Sequence, residues 1–180
     1  MSASNKTRFE VQTILRSCII QGLTQFSQTG WDVMEFANAS FEKANKVVLM
    51  NLIKCSRVGW QAQKYPVTAS VLGRREEWIE EQNWQLSTIL KRTDATDDTS
   101  ILAEDVSQML ITWFNGPGAD YLRKSGVAPL RVDTESVIVY NDNSELYQKR
   151  AVFTVKIQVP KVQLFGQNKL NAVEPHIRPV

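Results

Sequence analysis

The side chains able to do covalent or acid–base chemistry are few in this 180-residue chain, and their spacing does not suit them to it. The only histidine, His176, sits four residues before the C-terminus. A Ser-His-Asp or Cys-His site needs an imidazole held within hydrogen-bond reach of its nucleophile, and a tail residue has no fixed partner. A solvated side chain is the simpler reading. Cys18 and Cys55 fall in an expected helix and an expected strand, with no Cys-x-x-Cys or His/Cys spacing that would suit a metal. With no secretory signal in view, reduced thiols are expected rather than a disulfide. The doublets Glu76-Glu77 and Glu80-Glu81 lie on one expected strand, where neighbouring residues point to opposite faces. The same-face pair Glu77 and Glu81 is then ~13 Å apart along the strand, too far to share a site. Gly116-Pro117-Gly118 lacks the preceding strand and the following Lys-Ser/Thr of a phosphate loop, and reads as a helix stop. Trp60, Trp78 and Trp84 could stack on bases, but their neighbours are Glu and Gln rather than a basic groove. The expectation is a protein without catalytic, cofactor-binding or metal-binding residues, and not an enzyme.

The element that stands out is a β-hairpin from Lys46 to Arg92, with arms roughly twice the ordinary strand length of about 5–6 residues. From Lys54, Ser56, Val58, Trp60 and Ala62 alternate with Arg57, Gly59, Gln61 and Gln63. After Pro66 and Gly73 the return arm alternates Trp78, Glu80, Gln82, Trp84, Leu86, Thr88 and Leu90 with Glu77, Ile79, Glu81, Asn83, Gln85, Ser87 and Ile89. Its distal faces mix tryptophan with Glu and Gln, as a surface covered by another protein does.

Around it the pattern is helical and then extended. Thr7-Arg8-Phe9-Glu10 fits a capping box. Behind it Val11, Ile14, Leu15, Cys18, Ile19, Gly22, Leu23 and Phe26 form an apolar stripe. Trp31 to Asn45 has no clean period and reads as a connector, and 93–100 as a polar loop. A second stripe, Leu102 to Phe114, stops at Asn115-Gly116-Pro117-Gly118, and a short helix from Ala119 to Ser125 follows. Leu130 to Val132 and Val137 to Tyr140 read as an interrupted strand, and Asn141 to Ser144 as a turn. The last strand puts Ala151, Phe153, Val155, Ile157 and Val159 on one face and ends at Pro160. Val11, Ile14, Leu15, Ile19, Val106, Leu110, Phe114, Phe153, Val155 and Ile157 are core candidates. The expected fold is α+β: a four-stranded, mostly antiparallel sheet with a long β-hairpin and helices packed on one face. Residues 1–160 form a single domain, and 161–180 a C-terminal extended arm.

Hydrophobic residues are 43% and charged residues 22%, a globular balance. The net charge of +2, from 21 basic and 19 acidic side chains, lacks the basic excess of a phosphate-gripping protein. No apolar run approaches the ~20 residues of a spanning helix. The candidate assembly interface comprises Tyr65, Arg74, Arg75, Glu76 and Glu77 near the hairpin tip, with Leu164 and Phe165 in the arm. These two apolar side chains suit a partner's surface better than permanent solvent.

Three segments resemble the tail-terminator (neck-terminator) proteins of contractile-tailed bacteriophages. They are Phe36-Ala37-Asn38-Ala39-Ser40 followed by Val47-Val48-Leu49, the hairpin from Val58-Gly59-Trp60 through Glu81-Gln82, and Ala103 to Ile157. The last contains Trp113-Phe114-Asn115, Tyr121-Leu122, Gly126 before Leu130-Arg131-Val132, and Asn143 before the run Tyr147 to Phe153. Members often have prolines before the first strand; Glu42-Lys43-Ala44-Asn45 has none. The resemblance implies a structural virion protein that forms a ring, commonly a hexamer, capping the tail tube and joining the tail to the neck. Its partners would be the tail tube, tail sheath and neck or head-completion proteins. DNA would pass through the lumen without sequence-specific binding, no membrane would be involved, and assembly would take place in the host cytoplasm. Another neck or tail component, such as a tail-completion or head-closure protein, and a nucleic-acid-binding module are the alternatives.

Overall fold

A computed structural model describes residues 5–35, 45–64, 67–68, 71–91, 103–133, 137–141 and 148–167. Helix α1 (Arg8–Gln25) begins at the expected capping box: the Glu10 amide donates to Thr7 Oγ1 at 3.2 Å, and the Thr7 amide donates to Glu10 Oε2 at 2.6 Å. These backbone and hydroxyl bonds to Thr7 hold the Glu10 carboxyl below its ordinary pKa. The buried face of α1 is Val11, Leu15, Cys18, Ile19, Gly22 and Leu23. Helix α2 (Ala103–Asn115) buries Val106, Leu110, Ile111, Trp113 and Phe114. Gly116 then breaks the helix, and Pro117, at the first position of α3 (Pro117–Lys124), restarts it. That start is two residues earlier than the Ala119 expected from sequence.

The three helices meet around one indole. Trp113 Nε1 donates to the Cys18 carbonyl at 3.0 Å. A β-carbon on Gly22 of α1 would stand 2.8 Å from this ring, and one on Gly118 of α3 would stand 2.6 Å from it. Both positions therefore exclude a side chain. Burial also pushes the neighbouring Cys18 thiol up to about 11, so it stays protonated near neutral pH.

The strands are β1 (Asp32–Glu35), β2 (Lys46–Lys64), β3 (Val67–Thr68), β4 (Val71–Lys91), β5 (Ala128–Pro129), β6 (Val137–Asn141) and β7 (Gln148–Gln167). They form one sheet in the order β1-β2-β4-β7-β5, with β3 paired to β4 and β6 to β7. All described pairings are antiparallel except β1 with β2. The fold is α+β as expected, but the four-stranded sheet is corrected to seven strands. The extra ones are short: β1 lies in the stretch read as a connector, too brief to show a period. The strand expected at Leu130 to Val132 is replaced by β5 just before it. Leu130 N–H still reaches the Lys156 carbonyl at 2.8 Å. Val132 is then drawn off the sheet by Asn115, whose amide bonds both backbone groups of Val132 at 2.9 and 3.0 Å.

Val48, Met50, Trp84, Leu86, Phe153, Val155, Ile157 and Val159 share a core with residues of all three helices. Every core candidate named from sequence is in it, Ile14 only partly buried. Thr88 ties the sheet to α2 through the Ala103 carbonyl at 2.8 Å and Ser107 Oγ at 2.6 Å. Val47, Leu49 and Ile89 form a smaller buried cluster on the opposite face.

The expected end of β7 at Pro160 is also corrected: the strand runs on to Gln167. The ladder explains why proline does not stop it. The Lys156 carbonyl points away from β4, to Leu130, and backbone groups alternate sides along an antiparallel strand. The missing N–H of Pro160 is therefore on the outer side, where no ladder bond is lost. Residues 168–180 of the expected arm, the 93–100 loop and the turn at 142–144 lie outside the described residues.

Candidate assembly surface

The β4–β7 ladder pairs Leu72 with Gln167 at one end and Lys91 with Gln148 at the other, 20 pairs without a register shift. At about 3.3 Å per residue it spans on the order of 65 Å. A compact chain of this size has a radius of gyration of only about 16 Å. The core ends near Gln82 and Val159, and beyond it β2, β4 and β7 continue as a three-stranded ribbon.

The ribbon has two different faces because β2 is bulged. Leu52 pairs with Trp84 but Lys54 pairs with Asn83, so Ile53 is an extra residue. One inserted residue exchanges the faces of every later side chain. Hence Val48 and Met50 enter the core, while the later even-numbered residues Lys54, Ser56 and Val58 point outward. A second irregularity lies between Val58 and Ala62, at Gly59 with φ of 81°, where glycine has no steric penalty.

On the helix-side face a polar chain leads out of the core. Trp84 Nε1 donates to Gln82 Oε1 at 3.0 Å, and Gln82 Nε2 donates to Glu80 Oε1 at 2.6 Å. Glu80 is 3.7 Å from Lys161 Nζ, which also donates to the Lys6 carbonyl. The Arg57 guanidinium lies 4.4 Å from the centre of the Trp78 ring, a cation–π contact. Partial burial, followed by the Glu80 carboxylate, raises the pKa of the exposed Cys55 thiol beside them.

The structure brings most of the proposed interface residues together. Arg74 pairs with Glu76, and Arg75 pairs with Glu77 at 2.7 Å. Lys64 reaches Glu77 at 3.3 Å and is the first cause of the lowered pKa of that carboxyl. Phe165 and Leu164 are the backbone partners of Arg74 and Arg75, so the hairpin and the expected arm form one unit. Tyr65 lies outside the described residues. Sequence reasoning missed the edge clip: Asn5 Oδ1 accepts from the Val162 amide at 2.9 Å, and Asn5 Nδ2 donates to the Val162 carbonyl. It also missed an open cleft of about 360 Å³ beside Phe114, Pro129 and Arg131. Arg123 at that cleft is already paired to Asp120 at 2.8 Å.

These features define an α+β protein whose sheet extends into a projecting ribbon of mixed charged and apolar faces. The sequence matches the family model described as E217 gateway protein gp29 over residues 10–161, and the chain belongs to that family. Membership indicates a phage head–tail connector or gateway protein, a coarser class than tail terminator. Segments 36–40 and 143–147, part of the resemblance to tail terminators, lie outside the described residues. No curated protein matches the sequence.

Proposed function

We propose that this protein is a non-enzymatic structural component of the virion neck. It assembles as a ring of identical copies, ends the tail tube, joins the tail to the head connector and lets DNA pass through its centre. The observation that carries this reading is the ribbon: a ladder on the order of 65 Å long, far beyond what the core needs, built on a gateway-family chain. A strand pair that encloses no core of its own becomes buried only in an assembly. The near-balanced charge suits passage of DNA without sequence-specific binding. Neighbours would be the tail tube and sheath on one side and head-completion proteins on the other, placing the protein in the virion after assembly in the host cytoplasm.

The test is the mass of the purified full chain by native mass spectrometry, with negative-stain images of the same sample. A closed ring is expected, with sixfold symmetry in class averages. A monomer at every concentration, also when mixed with head or tail partners, would overturn the proposal.

A further inference from the structure

The ribbon leaves the body where the core ends, and the segment before α1 crosses that root. Helix α2 packs along β4 and β7, whereas α1 packs on α2, α3 and β1. Residues 5–7 join the start of α1 to the ribbon. Asn5 bonds the outward edge of β7: its Oδ1 accepts from the Val162 amide at 2.9 Å and its Nδ2 donates to the Val162 carbonyl, as a neighbouring strand would. The Lys6 carbonyl accepts from Lys161 Nζ, and Lys161 faces Glu80 Oε1 at 3.7 Å. Glu80 accepts from Gln82 at 2.6 Å, and Gln82 accepts from the buried Trp84 indole at 3.0 Å. The Lys161 and Glu80 side chains are only 14% and 21% exposed, so salt screens this pair less than a surface pair.

The other side of the segment is fixed to the body. The Lys6 side chain lies against the turn after α3: a β-carbon on Gly126 would stand 3.1 Å from Lys6 Cε. Thr7 then closes the segment as the N-cap of α1. There is no slack between the two anchorages. Asn5 and Thr7 are two residues apart, at most about 7 Å when fully extended. A swing of the ribbon would therefore have to break the bonds to Val162 and Lys161. The root is also where the sheet is easiest to bend. There β2 carries the extra residue Ile53, and a bulge bends its strand locally.

We propose that residues 5–7 are a strap that holds the ribbon at one angle to the helical body, with Lys161 as the positioning residue that joins the strap to β7 and β4. A ribbon held at one angle meets a neighbouring copy with less ordering cost on association. That consequence rests on the ring reading; the locking itself does not.

The experiment measures one distance in the full chain. Ile20→Cys on α1 and Ala62→Cys on the ribbon, both exposed sites, carry nitroxide spin labels. Cys55→Ser removes the exposed native thiol, and Cys18 is buried. Double electron–electron resonance on labelled chains diluted into excess unlabelled protein reads distances within one copy. One narrow distribution is expected. Asn5→Ala combined with Lys161→Met should widen it on the order of twofold. Lys161→Arg, which keeps a cationic donor, should leave it narrow. A variant lacking residues 2–6 keeps the Thr7 cap and leaves β7 unaltered; it should widen the distribution in the same way, and it decides the matter if the double variant melts early. A broad distribution with the strap intact, or an equally narrow one in the strapless variant, would overturn the strap. The loosened variants should also need about tenfold more protein to reach the ring state. A loosened ribbon that assembles at the wild-type concentration would overturn the gain from a fixed angle. A wild-type chain that never forms a ring would overturn the ring reading, while the distance measurement still judges the strap.

Discussion

The two halves of the β4–β7 ladder share one register and differ in almost everything else. From Lys91 to Gln82, β4 lies over helices, and its inward residues Leu86 and Trp84 are buried with Phe153 and Val155. From Glu81 outward the same strands carry ion pairs, a cation–π contact and an exposed apolar row. Backbone pairing alone thus gives a continuous sheet, while the side chains decide which part is core and which part is left for a partner. The contrast predicts that substitutions in the body affect folding, and substitutions on the ribbon affect association.

The largest effect should come from Leu110→Asp. Leu110 is fully buried in α2, and an unpaired carboxylate there costs several kcal/mol, a large part of typical domain stability. Circular dichroism should show an unfolded or much earlier-melting chain, whereas Ile79→Asp should melt like the wild type. Equal melts for Leu110→Asp and wild type would invalidate the helix packing. Next comes Gly22→Ala, whose methyl group meets the Trp113 ring at 2.8 Å. About 1–3 kcal/mol of destabilisation is expected from overpacking, read as a shift in the urea midpoint.

A smaller change should follow Thr7→Ala, about 1 kcal/mol for loss of a helix cap. The sign of its pH dependence is fixed. Glu10 is held below its ordinary value, so its contribution is present above about pH 4.5 and is lost as acid protonates the carboxylate. The difference between Thr7→Ala and wild type should therefore shrink below that pH. The smallest effect belongs to Asn5→Ala. Overall stability should change little, yet the Val162 amide should exchange faster with solvent, because its outward N–H loses its partner. An unchanged exchange rate would mean that the Asn5 clip does not protect this edge.

Much of the body was legible because its signals are local. The Thr7 cap, the α1 and α2 stripes, the hairpin limits and the alternation of Phe153, Val155 and Ile157 each lie within one segment. What escaped depended on pairing at long range. Pro160 is harmless only because its nitrogen faces away from β4, a fact of register that the chain alone does not display. The face exchange at Ile53 arises because β2 gains a residue relative to β4. The clips by Asn5 and Asn115 join segments that carry no common motif. The proposed interface was read as two separate parts, a hairpin tip and a tail arm, and they are adjacent rungs of one ladder.

The most direct measurement is the oligomeric mass of a protein without its ribbon. Ser56, Glu81 and Gln158 are partners in one row. Joining Ser56 to Glu81 through an Asn-Gly turn and ending the chain at Gln158 removes the ribbon and keeps most of the body. A control ending at Gln167 removes only the residues beyond β7. The account predicts a folded, cooperatively melting monomer for the ribbonless chain and a ring for the control. A ribbonless chain that still closes into a ring of wild-type symmetry would contradict it.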